Sequence, residues 1–295
     1  MEAEQVIIIG AGPAGLATAI QLKRYGVTPL LFERAQAGGL LWNANLVENY
    51  PGFPSGITGP DLVGLFVRQA QHLSIDVTHE EVIELVYEQE MFQVRSVQTS
   101  YSSRLVVIAT GTKPQRLKDL SIPADVVERV FYEVYELLQA EGKHIVIVGS
   151  GDAAFDYALN LSRKNRITIL NRGAQTRCLP LLWQRAQNVS TITYHPQTAV
   201  SRLMKDLQDG MLLDCQGPAG GLQFHADYLV GAIGRVAQVD FLPETFLQQT
   251  TALEEQGVLY RIGDVKNGIY RQTAIAVGEG VMTAMKIYRR LKETR

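Results

Sequence analysis

The sequence predicts an α/β protein made of two parallel-sheet domains, the second inserted into the first. Three observations carry this reading. A continuous apolar run, a glycine-rich turn and a helix-forming stretch follow one another twice, with the turns starting at Gly10 and at Gly149. The strand after the first copy ends on an acid and the strand after the second on a base. A length of 295 residues, at about 150 per domain, provides enough chain for two cores.

Val6-Ile7-Ile8-Ile9 reads as a buried parallel strand because nothing polar interrupts it. The turn Gly10-Ala11-Gly12-Pro13-Ala14-Gly15 follows, and Leu16 to Arg24 carries apolar residues at helical spacing. In a Rossmann unit the three glycines do separate jobs. The first permits the turn, the second lets the backbone approach a pyrophosphate, and the third lets helix and strand pack closely. The helix N-terminus then presents unpaired N–H groups and a positive dipole end to phosphates. The next strand, Pro29-Leu30-Leu31-Phe32, ends at Glu33, where a carboxylate accepts hydrogen bonds from ribose hydroxyls. Val82 to Leu85 and Phe92 to Val97 are expected strands of a small sheet, and Leu105 to Ala109 a buried strand ending at Thr110-Gly111. Lys113-Pro114 and Ile122-Pro123 mark a crossing into the second domain.

The second copy runs Ile145-Val146-Ile147-Val148, then Gly149-Ser150-Gly151-Asp152-Ala153-Ala154, then a helix from Phe155 to Leu161. Its following strand, Ile167 to Asn171, ends at Arg172, which stands as far beyond Gly149 as Glu33 stands beyond Gly10, with Arg177 further on. A guanidinium there suits a ribose 2′-phosphate, to which it offers fixed donors and a permanent charge. Tyr228 to Gly234 is a further strand ending in glycine, Asp240 to Pro243 closes the return crossing, and Val281 to Leu291 is amphipathic. The expected boundaries are 1–112 and 235–295 for the first domain and 113–234 for the insertion.

Composition narrows the function classes. Lys and Arg number 28 against 30 Asp and Glu, a formal net charge of −2, and apolar residues make up 46% of the chain. A disordered tail or a basic nucleic-acid binder would look different. Cys178 and Cys215 are too few for a disulfide scaffold and too far apart for a local metal or redox pair, which points to a reducing cytoplasm. The N-terminal Met1 to Gln5 carries two acids, and its apolar stretch is broken by Gly10, Gly12, Pro13 and Gly15. Neither a secretory signal nor a membrane span is expected there. None of the five histidines falls in a metal or acid–base motif.

These motifs together resemble the low-molecular-weight thioredoxin reductases and their relatives among flavoproteins with two dinucleotide-binding domains. The resemblance runs nearly end to end. It includes Gly10 to Gly15, Gly38-Gly39, Glu48-Asn49-Tyr50-Pro51-Gly52-Phe53, Ala109-Thr110-Gly111 and the turn at Gly149. It continues in Asn171-Arg172 with Arg177, Ala232-Ile233-Gly234, Gly263-Asp264-Val265 and Tyr270-Arg271-Gln272. The fold it implies is two Rossmann-like dinucleotide-binding domains, an NAD(P)H domain inserted into an FAD domain. It implies FAD contacts at Gly10, Gly12, Pro13, Ala14, Gly15, Glu33, Gly39, Asn49, Val82, Thr110, Gly111, Gly263, Asp264, Arg271, Gln272 and Ala274. Asp264 would bind near the ribityl chain and pyrophosphate, and Arg271-Gln272 would open a helix aimed at the pyrimidine side of the flavin. A positive helix end there favours the anion that develops on reduction. NAD(P)H contacts are implied at Gly149, Ser150, Gly151, Asp152, Ala153, Arg172, Arg177, Ile233 and Gly234. The resemblance also implies a homodimer.

The sequence departs from this family at two places. Disulfide-reducing members carry a Cys-x-x-Cys pair just before the second glycine turn; at the corresponding spacing from Gly149 this chain has Tyr132-Glu133-Val134-Tyr135, a tyrosine at each cysteine position. A phenol cannot relay two electrons as a reversible disulfide, so the flavin is expected to carry the chemistry with no catalytic side chain. The family's phosphate stretch has adjacent arginines, whereas Gly173 follows Arg172 here. NADPH is the expected coenzyme and NADH stays open. The expected activity is hydride transfer from NAD(P)H to FAD, then directly to an external acceptor such as a ferredoxin, a flavodoxin, a quinone or a small molecule. Lys286, Arg289, Arg290, Lys292 and Arg295 offer a basic face to an acidic carrier or to solvent. The alternatives are a flavin-binding partner or sensor with little turnover, and a thioredoxin or small-disulfide reductase working through Cys178 or Cys215.

Overall fold

A computed structural model describes residues 5–206 and 209–293. The chain divides into two compact units. The first comprises the chain up to Trp42, Val47–Lys113 and the chain from Val236; the second comprises Asn43–Leu46 and Pro114–Arg235. In chain order the helices are α1 (Pro13–Arg24), α2 (Gly59–His72), α3 (Asp152–Leu161), α4 (Pro180–Gln187), α5 (Glu244–Glu255) and α6 (Thr273–Glu293).

The first unit is built on a five-stranded parallel sheet in the order Leu259–Arg261, Val106–Ile108, Ile7–Ile9, Leu30–Phe32, Val77–Thr78. Ile7 and Ile8 are fully buried at its centre, as an apolar run covered on both faces must be. The second unit repeats the arrangement with Val130–Phe131, Tyr228–Gly231, His144–Val148, Arg166–Leu170 and Ile192–His195. The fold is therefore the expected α/β architecture with two Rossmann-like domains.

Details differ from expectation in ways that follow from non-local pairing. The strand at Tyr228 stops at Gly231, short of Gly234. Each unit also carries a three-stranded antiparallel meander, Val82–Glu88, Met91–Ser96 and Ser100–Ser103 in the first, and Ala199–Lys205, Met211–Gly217 and Gly220–Ala226 in the second. Only the first two strands of the first meander were legible, and its third, Ser100–Ser103, was not. The strand Met91–Ser96 buries alternate residues, the period-2 signal of a half-buried strand.

In the first unit α6 lies close against α1. A methyl on Gly280 would collide with the Ala14 carbonyl, and the Thr18 hydroxyl, fully buried, donates to the carbonyls of Ala14 (2.8 Å) and Gly280 (3.2 Å). Tyr25 and Tyr288 stack at 4.3 Å further along the same helices. This packing seats α6 on α1 along much of its length.

Candidate functional site

The first unit places most of the expected cofactor residues around the N-terminus of α1. Gly10 sits at φ +103°, its N–H donates to the Phe32 carbonyl (2.8 Å), and a methyl on it would lie 2.5 Å from the Ala109 carbonyl oxygen. Gly15 is equally confined, because a methyl there would overlap the Gly10 carbonyl oxygen. Gly12 is different. Its backbone is extended, at φ −73° and ψ −175°, and a methyl on it would meet no protein atom within 4 Å. Neither strain nor packing asks for glycine at this position, and no side chain caps the helix that starts beside it. Gly39 approaches from the other side, where a methyl would come within 3.3 Å of Gly12 Cα. The result is a cradle of bare backbone at a positive helix end, the donor set that fits a pyrophosphate.

Glu33 closes the turn. Its Oε2 accepts the Ala11 N–H (2.9 Å) and its Oε1 the Ala35 N–H (3.1 Å), so the carboxylate is held in place by main chain. Each oxygen keeps a further lone pair for a ribose hydroxyl. The Thr110 hydroxyl donates to the Gln238 carbonyl (2.7 Å), and Gly111 accepts the Gln238 N–H (3.0 Å). Gly263, at φ +71°, is buried against the first turn of α1, where a methyl would stand 3.0 Å from Ala14 Cβ. Asp264 follows Gly263 in the same short 3-10 turn, Gly263–Val265. Asn49 Nδ2 donates to Gln272 Oε1 (2.6 Å), tying the Asn-Tyr-Pro-Gly-Phe stretch to the residue before α6. Gln272 also accepts the Ala276 N–H through its carbonyl, and Ala274 is exposed on the first turn of that helix. Val82 is 8% exposed inside the apolar core, so its side chain serves packing and only its main chain can meet a ligand.

The second unit repeats the turn. The Gly149 N–H donates to the Leu170 carbonyl (3.0 Å), and a methyl on Gly149 would collide with the Ala232 carbonyl. Gly151 is open in the same way as Gly12 and stands uncapped before α3. The third position accepts alanine here, Ala154, fully buried. The Arg177 N–H donates to the Ser150 carbonyl (2.7 Å), its Nε reaches the Ser150 hydroxyl (3.4 Å), and Asp152 Oδ1 accepts the Leu179 N–H (2.7 Å). These bonds lace residues 177–179 onto the turn and bring Arg177 to it. Asn171, 4% exposed, shapes the loop by donating to the Gln175 carbonyl and accepting the Gly173 N–H. Arg172 is exposed at the end of this strand. A methyl at Gly173 would find only ordinary contacts, 3.4 Å from Asn171 Oδ1, so the missing second arginine is not a demand of the fold. Ala153 is exposed on the first turn of α3, Ile233 is 38% exposed, and Gly234 accepts the Gln115 N–H.

Tyr132 and Tyr135 have separate environments. Tyr132 is 7% exposed, its hydroxyl accepts the Leu117 N–H (3.2 Å), its ring packs on Gly231, and the Arg116 guanidinium lies 4.3 Å from the ring centroid. It fills space in the second unit. Tyr135 is 38% exposed, and its N–H, with that of Val134, donates to the Oδ1 of buried Asn43. Asn43 was not legible as a site residue. A buried asparagine accepting two consecutive main-chain N–H groups leaves no periodic trace in sequence. Burial pushes the Cys178 thiol up, and burial with Asp214 nearby pushes Cys215, 3% exposed, up to about 11. Neither thiol has the lowered pKa of a reactive thiolate.

On the basic face of α6, Arg289 pairs with Glu293 (2.8 Å), Arg290 donates to the Gln256 carbonyl (2.7 Å) and Lys292 stands over the Tyr288 ring. Lys286 is exposed, and Arg295 lies outside the described residues. No helix among the described residues is long and apolar enough to cross a membrane.

Both Rossmann-like units thus set an uncapped helix behind an open central glycine. The chain matches the pyridine nucleotide-disulphide oxidoreductase family over residues 4–280. It belongs to that family. It is 30% identical to a thioredoxin reductase of Mycolicibacterium smegmatis, over 98% of this chain and 96% of that protein. It is also 30% identical to a bifunctional thioredoxin reductase/thioredoxin of Mycobacterium leprae, over 98% of this chain but 66% of that protein. Among solved structures, a Lactococcus lactis thioredoxin reductase in its FR conformation superposes with a TM-score of 0.85 at 23% identity, covering 98% and 99% of the two chains. The bacillithiol disulfide reductase Bdr (YpdA) of Bacillus cereus superposes at 0.76 with 20% identity, covering 98% and 100%. Members of the thioredoxin reductase family are flavoprotein oxidoreductases that use FAD and NADPH.

Proposed function

We propose that this chain is an FAD-dependent oxidoreductase that takes hydride from NADPH, with NADH as the alternative coenzyme, and delivers electrons from the flavin directly to an external acceptor. One observation carries the second half of this reading. The only cysteines, Cys178 and Cys215, have no partner at Cys-x-x-Cys spacing, and Tyr132-Glu133-Val134-Tyr135 stands where the relay would be. When bound, FAD supplies hydride acceptance and can release electrons singly or in pairs.

The chain's own residues bind and orient. The Gly10–Gly15 turn and the N-terminus of α1 hold the pyrophosphate, Glu33 accepts from the adenosine ribose, and Asp264 faces the middle of the dinucleotide. Asn49 and Gln272, locked to each other, and Arg271 set the flavin end. In the second unit the Gly149–Gly151 turn holds the coenzyme pyrophosphate, while Arg172 and Arg177 meet the ribose 2′-phosphate. The acceptor is a small disulfide, a quinone, a ferredoxin or a flavodoxin. We further propose a cytoplasmic homodimer, supported by the family resemblance and by Ile275, Met282 and Met285, exposed along α6.

Anaerobic titration with NADPH and, separately, NADH tests the reading. Rapid loss of the oxidised flavin's visible absorbance with NADPH is expected; no reduction by either coenzyme would move the chain to the non-catalytic flavin binders. In Arg177→Ala, kcat/KM for NADPH is expected to fall by about tenfold or more while that for NADH changes little, because the guanidinium recognises only the extra phosphate. An equal loss with both coenzymes would assign Arg177 to the turn alone. Cys178→Ser and Cys215→Ala are expected to reduce flavin and turn over acceptors as the parent does. Loss of disulfide reduction in either would restore the cysteine route.

A further inference from the structure

Glu279 lies on α6, three residues after buried Ala276 and four before buried Thr283, so a carboxylate interrupts the packed face of the helix. Its Oε2 accepts the N–H of Gly263 (2.6 Å) and the Nδ2 of Asn267 (2.9 Å). Those donors bracket one turn. Gly263 begins it in a left-handed conformation, and its carbonyl accepts the N–H groups of Lys266 (3.0 Å) and Asn267 (3.3 Å). A single carboxylate oxygen thus gathers both ends of the turn that carries Asp264. The helix bearing Glu279 is also the one that follows Arg271 and Gln272, and it is seated on α1 through Gly280, the next residue.

We infer that Glu279 is a positioning residue for FAD: it fixes the Gly263–Asn267 turn to α6, so that Asp264 and the Arg271-Gln272 segment are presented as one preformed surface. The role rests on the reading of this unit as the FAD site. Glu279 itself need not touch the cofactor. Without these two bonds the Gly263 N–H loses its acceptor and the turn is no longer held to α6. The turn would then have to be ordered at the moment of binding, which weakens affinity.

The experiment measures FAD affinity of the deflavinated full chain by quenching of flavin fluorescence, beside the melting temperature of the same apoprotein, for the parent, Glu279→Gln, Glu279→Ala and Asp264→Ala. Glutamine keeps a carbonyl oxygen for both donors, so Glu279→Gln is expected to bind FAD like the parent. Glu279→Ala is expected to bind about tenfold or more weakly with the apoprotein's melting temperature little changed. Parent-like affinity in Glu279→Ala would overturn the inference, as would a loss confined to melting temperature. Equal weakening in Glu279→Gln and Glu279→Ala would overturn it too, by assigning the effect to charge. Failure of the parent chain to bind FAD, or indifference to Asp264→Ala, would instead remove the reading of the site on which the inference stands. Should Glu279→Ala not fold, Asn267→Ala, which removes one of the two donors, is expected to weaken FAD binding by a smaller factor, and an unchanged affinity there would count against the role.

Discussion

Gly12→Ala is expected to fold as the parent does and to emerge from purification without FAD, whereas Gly15→Ala is expected not to assemble the first unit at all. The two glycines lie three residues apart in one turn, and sequence motifs treat them alike. Physically they differ. A methyl on Gly15 would overlap the Gly10 carbonyl oxygen, backbone against backbone, and no rotamer change can relieve that. The helix must back away from the strand, and the cost exceeds about 4 kcal/mol, in the range where point substitutions unfold domains. A methyl on Gly12 meets no protein atom and asks for no unusual φ, so the apoprotein gains slightly from a less flexible unfolded chain, by about 0.4–1 kcal/mol. It stands where a pyrophosphate oxygen must come within about 3 Å of the backbone N–H groups. Flavin-to-protein ratio and apoprotein melting temperature, measured on both variants, separate the effects. A Gly12→Ala protein that keeps full flavin would contradict the placement of the pyrophosphate. The same contrast is expected between Gly151→Ala and Gly149→Ala for coenzyme binding, since Gly151 is open and Gly149 is closed off by the Ala232 carbonyl.

Asp156→Asn is expected to stabilise the protein at pH 8 and to leave it unchanged near pH 4. Asp156 lies on α3, and its Oδ2 accepts the Asn45 N–H (2.9 Å). Burial is the largest influence on it and pushes its pKa up from 3.8 to about 6, against the pull of the Asn45 and Leu46 N–H groups and of Arg163, and with a small push from Asp152. The unfolded chain releases its proton near the ordinary value. Between about pH 4 and pH 6 the native state therefore binds more protons than the unfolded state, and stability falls as pH rises through that window. Above it the ionised carboxylate costs the native state about 3 kcal/mol net, burial outweighing the Asn45 and Leu46 N–H groups and Arg163. Asparagine has the same shape, keeps an oxygen for the Asn45 N–H and does not titrate. Thermal or urea unfolding from pH 4 to pH 8 should show the parent losing stability and the variant holding it, a difference worth several degrees in Tm. Parallel profiles would place the titration elsewhere.

Asp156, Asn43 and Glu279 share a reason for having escaped the sequence. Each is a polar residue whose importance lies in main-chain donors distant in sequence: Asn45 for Asp156, Val134 and Tyr135 for Asn43, Gly263 for Glu279. A carboxylate or amide in a helix or loop reads the same whether it faces water or a buried N–H. Glu279 alone left a trace, as a charge on the packed face of an amphipathic helix. The meander at Ala199–Gly217 and Gly220–Ala226 escaped for a related reason, since its outer strands are largely exposed and lack the alternation that marked Met91–Ser96.

What the sequence determined by itself is local. Unbroken apolar runs make central parallel strands, glycine after a strand makes a turn into a helix, and the residue ending the next strand is set by where that strand stops. Those features depend on a few neighbouring residues and on backbone sterics, so the places of Glu33 and Arg172 just after their strands were legible from spacing alone. The tertiary structure decided everything that depends on which distant segments meet. It placed Leu259–Arg261 beside Val106–Ile108 as the fifth strand of the first sheet, while the second sheet takes its fifth strand, Val130–Phe131, from the segment before its own first turn. It grouped Asn43–Leu46 with the second unit, although both flanks of that stretch belong to the first. It also distinguished a glycine on which a methyl would lie 2.5 Å from a carbonyl oxygen from one that faces open space, because that difference lies in the atoms opposite the turn and not in the turn's own residues.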